Sequence, residues 1–163
     1  MLFRSRSMKR PEVITIAGAG LVGSLLGVML AKKGYRVQIF EQRPDMRGKQ
    51  ISAGRSINLA LAERGIHALK QAGLMQAVEP LLIPMRGRML HDLNGETEFQ
   101  SYGQRPHELI YSVSRGGLNE LMLTAAEDSR QVEIHFEHEL ESIDFGLNTV
   151  RFRDVSNARS FDV

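Results

Sequence analysis

A glycine pattern near the start of the chain most constrains its fold. Residues 13–17 (VITIA) form a short β-branched run, and residues 18–23 (GAGLVG) follow as G-x-G-x-x-G. An apolar segment, residues 21–33, is predicted to be a helix that ends at Gly34, and a second β-like run finishes at Glu41. A strand, a glycine turn, a helix and a second strand within about thirty residues predict a βαβ dinucleotide-binding unit.

Each glycine of this pattern has a separate mechanical role. Gly18 permits the tight turn, Gly20 lets the backbone approach a pyrophosphate, and Gly23 allows the helix to pack closely on the strand. The helix begins with Leu21 and Val22, so its free N–H groups and the positive end of its dipole face the phosphates.

The acid at the end of the second strand predicts which dinucleotide binds. Glu41 lies 23 residues after Gly18, where a carboxylate accepts hydrogen bonds from ribose hydroxyls. A carboxylate there repels a 2′-phosphate, so the site is expected to hold FAD or NAD rather than NADP.

The same region looks superficially like a membrane span. Residues 13–31 are nineteen consecutive uncharged residues, which is long enough to cross a bilayer. Four glycines interrupt the stretch, and its pattern changes from β-like to helical partway along. We therefore expect a strand followed by a helix, and no membrane segment in this chain.

Composition narrows the function classes further. The chain of 163 residues has no cysteine, which excludes disulfides, thiolate metal ligands and cysteine nucleophiles and is compatible with a reducing cytoplasm, the expected location. Residues 1–115 carry a net charge of +8 and residues 116–163 a net charge of −6. A basic first part favours a dinucleotide pyrophosphate or a nucleic acid, and scattered solvated charge explains it equally well. No dense basic run with interleaved aromatic residues supports nucleic-acid binding.

The remainder of the chain predicts further α/β structure. Helices are expected at residues 59–74, 77–82 and 118–127, and strands at residues 85–93, 99–102, 109–113, 132–136, 140–145 and 149–152, with a turn at Gly95. His135 and His138 are three residues apart in strand-like sequence, so we expect them on opposite faces. With no third ligand beside them, no metal site is predicted.

Three more segments carry a family resemblance. They are residues 54–65 (GRSINLALAERG), residues 85–91 (MRGRMLH), and residues 111–115 (YSVSR) with Leu118 and Asn119. Together with the glycine pattern, they resemble the kynurenine 3-monooxygenase family within the flavoprotein aromatic hydroxylases. The resemblance covers about residues 12–145, nearly the whole chain.

The resemblance implies a reaction and its partners. It implies bound FAD, NADPH as reductant, molecular oxygen as co-substrate and L-kynurenine as the small molecule that is hydroxylated. The fold implied is a Rossmann-like FAD-binding domain with the start of an inserted substrate-binding sheet. No catalytic residue is expected within this chain, because the flavin carries the difficult chemistry.

Site residues follow from the same resemblance. Arg88 is expected to bind the kynurenine carboxylate with help from Tyr102, although Arg86 shares the strand face of Arg88 and alternation alone leaves both open. Arg115 matches an arginine that contacts flavin. The other expected contacts to FAD are from Arg43, Arg55 and Ala60. Related enzymes often have a basic residue directly after the ribose-binding acid, where this chain has Gln42, and Arg43 is the next residue.

The resemblance also predicts an incomplete domain. We expect a basic leader at residues 1–10, the first part of the FAD-binding domain at residues 11–83, the start of the substrate sheet at residues 84–114, and a return to the FAD-binding domain at residues 115–163. Family members continue into DG and GD motifs, which are not found after residue 150. We therefore expect the 163 residues alone to be inactive. The alternatives are a flavin hydroxylase of another carboxylated aromatic compound and a non-catalytic dinucleotide-binding module; the oligomeric state stays open.

Overall fold

The computed structural model describes residues 13–47, 58–105 and 108–163. Its helices are α1 (Leu21–Lys32), α2 (Glu63–Ala72), α3 (Met75–Val78) and α4 (Arg115–Asp128), with a short 3₁₀ helix at Glu79–Leu81. Its strands are β1 (Val13–Ala17), β2 (Arg36–Glu41), β3 (Asn58–Leu61), β4 (Ile83–Met85), β5 (Gly87–His91), β6 (Thr97–Ser101), β7 (Ile110–Ser114), β8 (Val132–Phe136), β9 (His138–Asp144), β10 (Thr149–Asp154) and β11 (Ser160–Asp162). The mixed α/β fold predicted from the sequence is confirmed.

The chain divides into two compact units. The first comprises residues up to 46 and from 123 onward, and the second comprises residues 47–122. The expected leader at residues 1–10 lies outside the described residues.

The first unit contains the predicted βαβ structure. Strands β1, β2 and β8 form a parallel sheet with β2 in the centre, and helix α1 packs on one face. A Cβ on Gly27 would lie 2.9 Å from Cδ1 of Ile39, so the helix backbone contacts the sheet closely. Residues 13–31 thus form a strand and a separate helix, as predicted. Within the described ranges, no helix combines the length and apolar character needed to cross a membrane.

An antiparallel meander, with strand order β9-β10-β11, supplies the aromatic part of the core in this unit. Phe152 on β10 is fully buried, and its ring stacks on Phe40 of β2 with the centroids 4.1 Å apart. The ring of His135 stacks on Phe40 at 4.7 Å. Burial of these large rings explains why the meander packs against the parallel sheet.

The expected placement of the two histidines is wrong. The ring centroids of His135 and His138 lie only 5.9 Å apart, and both rings contact Phe40. Glu137 between them adopts a positive φ of 60°, which ends β8 and breaks the alternation of side chains that a continuous strand would impose. Among the described residues, no group of three potential metal ligands is present.

The second unit contains two separate antiparallel sheets, one with strand order β3-β7-β4 and one hairpin of β5 and β6. The predicted helix at residues 59–74 is wrong in its first part, where Asn58–Leu61 is strand β3. Pairing with β7 overrides the helical preference of the alanine and leucine residues there. Helix α2 starts at Glu63 and ends at Ala72, and its C-cap residue Gly73 has a φ of 69°, which suits glycine.

Three other predicted boundaries change. The helix expected at residues 77–82 is a single α-helical turn followed by the 3₁₀ helix. The strand expected at residues 85–93 is divided into β4 and β5, and helix α4 extends beyond its predicted limits at both ends. The turn at Gly95, with φ of 85°, is confirmed.

Candidate functional site: a dinucleotide loop and an arginine-bearing hairpin

The turn from β1 into α1, residues 18–23, is here called the dinucleotide loop. Gly18 adopts φ of 100° and donates its N–H to the carbonyl of Phe40 at 2.7 Å, which ties the turn to β2. Gly20 is the N-cap of α1 in an extended conformation. Ser24 is fully buried, and its hydroxyl lies 3.1 Å and 3.0 Å from the carbonyl oxygens of Ala19 and Gly20. Ser24 was not predicted as a site residue, although a small hydroxyl residue just after the third glycine was a usable signal.

Gly20 and Gly23 serve different physical purposes. A Cβ on Gly23 would lie 1.9 Å from the carbonyl oxygen of Gly18, so no side chain fits between helix and loop. A Cβ on Gly20 would meet nothing within 4 Å. The structure therefore requires glycine at position 23 for packing, whereas glycine at position 20 keeps the surface of the loop open.

That open surface has the polarity of an anion site. Ser24 N–H bonds to the Gly20 carbonyl, and among the described residues the preceding N–H groups of Leu21, Val22 and Gly23 have no hydrogen-bond partner. The first turn of α1 carries no acidic residue. Unpaired N–H groups and the positive helix end together fit a diphosphate. Leu21 is half-buried and Val22 is 81% exposed.

Glu41 reaches back from the end of β2 to this loop. Its side chain is 7% exposed, and its Oε2 accepts the N–H of Ala19 at 2.9 Å. Burial raises the pKa of Glu41, but hydrogen bonds from the Arg43 side chain, the Arg43 N–H and the Ala19 N–H, with the nearby guanidinium charge, outweigh burial and hold the pKa below its usual value. The carboxylate is therefore ionised at neutral pH.

Arg43 is the immediate partner of that carboxylate. Its Nε lies 2.7 Å from Oε1 of Glu41, its Nη2 lies 3.2 Å from Oε2, and its backbone N–H donates to Oε1 at 3.0 Å. With the Ala19 bond, the two oxygens accept four hydrogen bonds, which is the full capacity of a carboxylate. A ribose diol that binds Glu41 must displace the Arg43 side chain or share the oxygens with it. Gln42, the position that departs from the family pattern, is exposed.

In the second unit, the hairpin of β5 and β6 brings together the residues expected to bind substrate. Arg88 pairs with Gln100 in the antiparallel register, and the Tyr102 N–H donates to the Arg86 carbonyl at 3.0 Å. Because paired residues share a face and alternate residues repeat it, one face carries Arg86, Arg88, Gln100 and Tyr102. We call this the arginine face. Arg88 and Tyr102 are thus neighbours on one exposed surface, and Arg86 accompanies them.

The opposite face of the hairpin explains the glycine between the two arginines. The ring of Phe99 lies over Gly87, where a Cβ would be 2.5 Å from the ring and 2.3 Å from the Gln100 carbonyl oxygen. Glycine at position 87 therefore permits the close strand pairing that aligns Arg88 with Gln100.

Three other expected flavin contacts are distributed as follows. Ala60 lies on β3 opposite Ser112 and is exposed. Arg115 is the first residue of α4 and is also exposed. Arg55 lies outside the described residues. The flavin-binding roles of these residues stay predictions.

Residues 10–160 match the family model described as FAD binding domain. The chain belongs to the FAD-binding domain family. This confirms the fold class expected from the glycine pattern, and the geometry of the dinucleotide loop and Glu41 fits the diphosphate and ribose of FAD.

Relatives within the FAD-binding domain family carry a more specific name. The chain is 45% identical over 148 residues to a kynurenine 3-monooxygenase of Myxococcus xanthus, which covers 91% of this chain and 32% of that protein. It is 45% identical over 141 residues to a kynurenine 3-monooxygenase of Legionella pneumophila (strain Corby), which covers 86% of this chain and 31% of that protein. The chain thus spans about a third of the length of these relatives.

Solved structures share the fold. The p-nitrophenol 4-monooxygenase PnpA of Pseudomonas putida superimposes with a TM-score of 0.74 at 19% identity, over 93% of this chain and 39% of that chain. The flavin-dependent monooxygenase PieE, solved in complex with FAD and substrate, gives a TM-score of 0.76 at 18% identity, over 96% and 29%.

Proposed function

We propose that this chain is the FAD-binding part of an enzyme that hydroxylates L-kynurenine. In the overall reaction, L-kynurenine, NADPH, a proton and molecular oxygen give 3-hydroxykynurenine, NADP⁺ and water. The observation that carries the proposal is the 45% identity, over nearly the whole chain, to relatives named for this activity. FAD supplies the redox and oxygen-activating chemistry when bound.

The residues of the dinucleotide loop bind and orient the cofactor in this proposal. The N–H groups at the start of α1 hold the diphosphate, and Glu41 accepts the ribose hydroxyls. Arg43, Arg55, Ala60 and Arg115 are assigned further contacts with FAD. Arg115 and Arg55 offer positive charge, which suits a cofactor that carries negative phosphates.

The arginine face holds the substrate in this proposal. Arg88 presents a planar, permanently charged guanidinium that matches a carboxylate in two parallel hydrogen bonds. Tyr102, two positions along the same face from Gln100, adds a hydroxyl donor. Holding the carboxylate fixes the position of the aromatic ring relative to the rest of the active site, and correct orientation is itself a large part of catalysis.

A completed enzyme tests the proposal. We define it as a chimera in which this chain replaces the matching segment of the Myxococcus xanthus relative. It is expected to purify with bound flavin and to oxidise NADPH faster when L-kynurenine is added, with 3-hydroxykynurenine as the product. A folded chimera without flavin would contradict the proposal. Activity on a salicylate-like ring but not on kynurenine would favour the hydroxylase of another carboxylated aromatic compound. Calorimetry of the 163-residue chain with FAD and NAD tests the alternative of a non-catalytic dinucleotide-binding module. We expect the 163-residue chain to bind both dinucleotides weakly or not at all.

The first variant to make in the completed enzyme is Arg88→Ala. We expect the apparent KM for L-kynurenine to rise about 30-fold, because a charge-assisted hydrogen bond contributes about 1.5–3 kcal/mol. The content of bound FAD should stay unchanged. Steady-state kinetics and flavin absorbance measure the two effects.

Two further variants serve as comparisons for Arg88→Ala. Arg105→Ala removes an exposed arginine of the same unit and should leave KM unchanged. Arg86→Ala removes the other cation of the arginine face, and a larger rise in KM for that variant would exchange the roles of Arg86 and Arg88. Equal loss of flavin and of substrate affinity in Arg88→Ala would contradict a substrate-binding role.

A further inference from the structure

The side chain of Arg88 is held by a neutral acceptor. Its Nε lies 2.7 Å from Oε1 of Gln100, the residue directly opposite it in the hairpin register. Both side chains project from the arginine face, so the bond joins the two strands of the hairpin. With Nε engaged, the two terminal NH₂ groups form the remaining donor edge of the guanidinium.

Three arginines elsewhere in the described ranges are held by carboxylates instead. Arg43 pairs with Glu41, Arg151 with Asp162, and Arg153 with Glu139 and Glu141. In each of these pairs, a carboxylate offsets the charge of the guanidinium. The amide of Gln100 orients Arg88 without offsetting its charge, which leaves the full positive charge available to an anionic ligand.

We propose that Gln100 is a positioning residue, which orients the terminal NH₂ groups of Arg88 toward a substrate carboxylate and keeps its charge uncompensated. The inference rests on the proposed function, in which Arg88 binds that carboxylate. It predicts that neutrality of the side chain at position 100 matters as much as its ability to accept a hydrogen bond. A carboxylate there would occupy Arg88 itself and compete with the substrate.

The test compares Gln100→Glu with Gln100→Leu in the completed enzyme. Gln100→Glu keeps the acceptor and the size but adds a charge, and we expect it to raise the KM for L-kynurenine about 30-fold. Gln100→Leu removes the acceptor only, and we expect a rise of about fivefold. In both variants, kcat, flavin content and the KM for a decarboxylated analogue of kynurenine should stay within about twofold of the wild-type values. Gln76→Glu, the same charge change at an exposed site of helix α3 in the same unit, is the control and should change KM less than about twofold.

A merely structural role for Gln100 gives a different pattern. It would lower kcat and flavin content together with substrate affinity, and it would affect the decarboxylated analogue equally, which would overturn the proposal. So would a KM in Gln100→Glu no higher than in Gln100→Leu.

A second measurement separates this inference from the proposed function. The Nε–H of Arg88 gives a ¹⁵N NMR signal that should be protected from exchange in the wild-type protein and lost or shifted in Gln100→Leu. If the wild-type enzyme does not hydroxylate kynurenine, the proposed function fails. The positioning role is then decided by this signal, and an unchanged signal in Gln100→Leu would overturn it.

Discussion

The Gly23→Ala substitution is expected to destabilise the βαβ unit by about 3 kcal/mol and to weaken FAD binding about 100-fold or more. The added methyl group would lie 1.9 Å from the Gly18 carbonyl oxygen, a backbone atom that no side-chain rotation moves away. Helix α1 must shift from the loop to relieve this contact. That shift also removes the free N–H groups of the helix from the position where they meet the diphosphate.

Two other glycine variants in the completed enzyme separate packing from ligand approach. Gly20→Ala should leave the unfolding temperature unchanged, because its Cβ meets nothing within 4 Å and its φ of −73° suits alanine, yet it should still weaken FAD binding by occupying the surface of the loop. Gly116→Ala, at an exposed site of α4 with only an ordinary contact, should keep FAD binding and raise stability by about 0.5–1 kcal/mol. Thermal unfolding and flavin titration measure both effects. A Gly23→Ala enzyme with normal Tm and normal flavin affinity would contradict the packing role.

The βαβ unit was predictable from the sequence because its determinants are local. The β-branched run, the three glycines and the terminal acid of β2 lie within one stretch of chain, and the structure places them as the pattern indicates. Strand β3 was not predictable in the same way. Its alanine and leucine residues favour a helix, and only its pairing with β7, far along the chain, makes it a strand.

In the hairpin of β5 and β6, the alternation of side chains predicts the face on which a residue lies but not its partner on the other strand. Alternation places Arg86 and Arg88 on one face, but the register that sets Gln100 opposite Arg88 depends on the turn between β5 and β6. There the Asp92 carboxylate accepts the N–H groups of Asn94 and Glu96 and fixes the turn. The sequence 92–95 (DLNG) was a usable turn signal, from which the partner of Arg88 could have been derived.

The Glu41→Ala substitution is expected to weaken FAD binding about 100-fold in the completed enzyme. The variant loses the ribose acceptor and also leaves the buried N–H of Ala19 without its partner, which costs about 1–3 kcal/mol by itself. Arg43→Ala is the matched control. It removes the guanidinium but leaves the carboxylate and the Ala19 bond in place, so flavin affinity should fall less than about tenfold. An equal loss of affinity in the two variants would show that FAD binding needs the guanidinium of Arg43 as much as the carboxylate of Glu41.

Acidification distinguishes the charge of Glu41 from its capacity to accept hydrogen bonds. The pKa of Glu41 in the folded protein lies below its usual value of 4.5, so the ionised form stabilises the fold. That contribution is fully present above the usual value and is lost as the pH falls through the lower folded pKa.

Glu41→Gln keeps the side-chain shape without this titration, so the wild-type Tm should exceed that of the variant at neutral pH, and the difference should shrink below about pH 4.5. Asp154 and Asp162 also have lowered pKa values, but they titrate in both proteins, so their effect cancels in the comparison. A difference in Tm that stays constant on acidification would mean that Glu41→Gln is less stable only because an NH₂ group replaces an accepting oxygen, and that the negative charge of Glu41 contributes nothing to holding the dinucleotide loop.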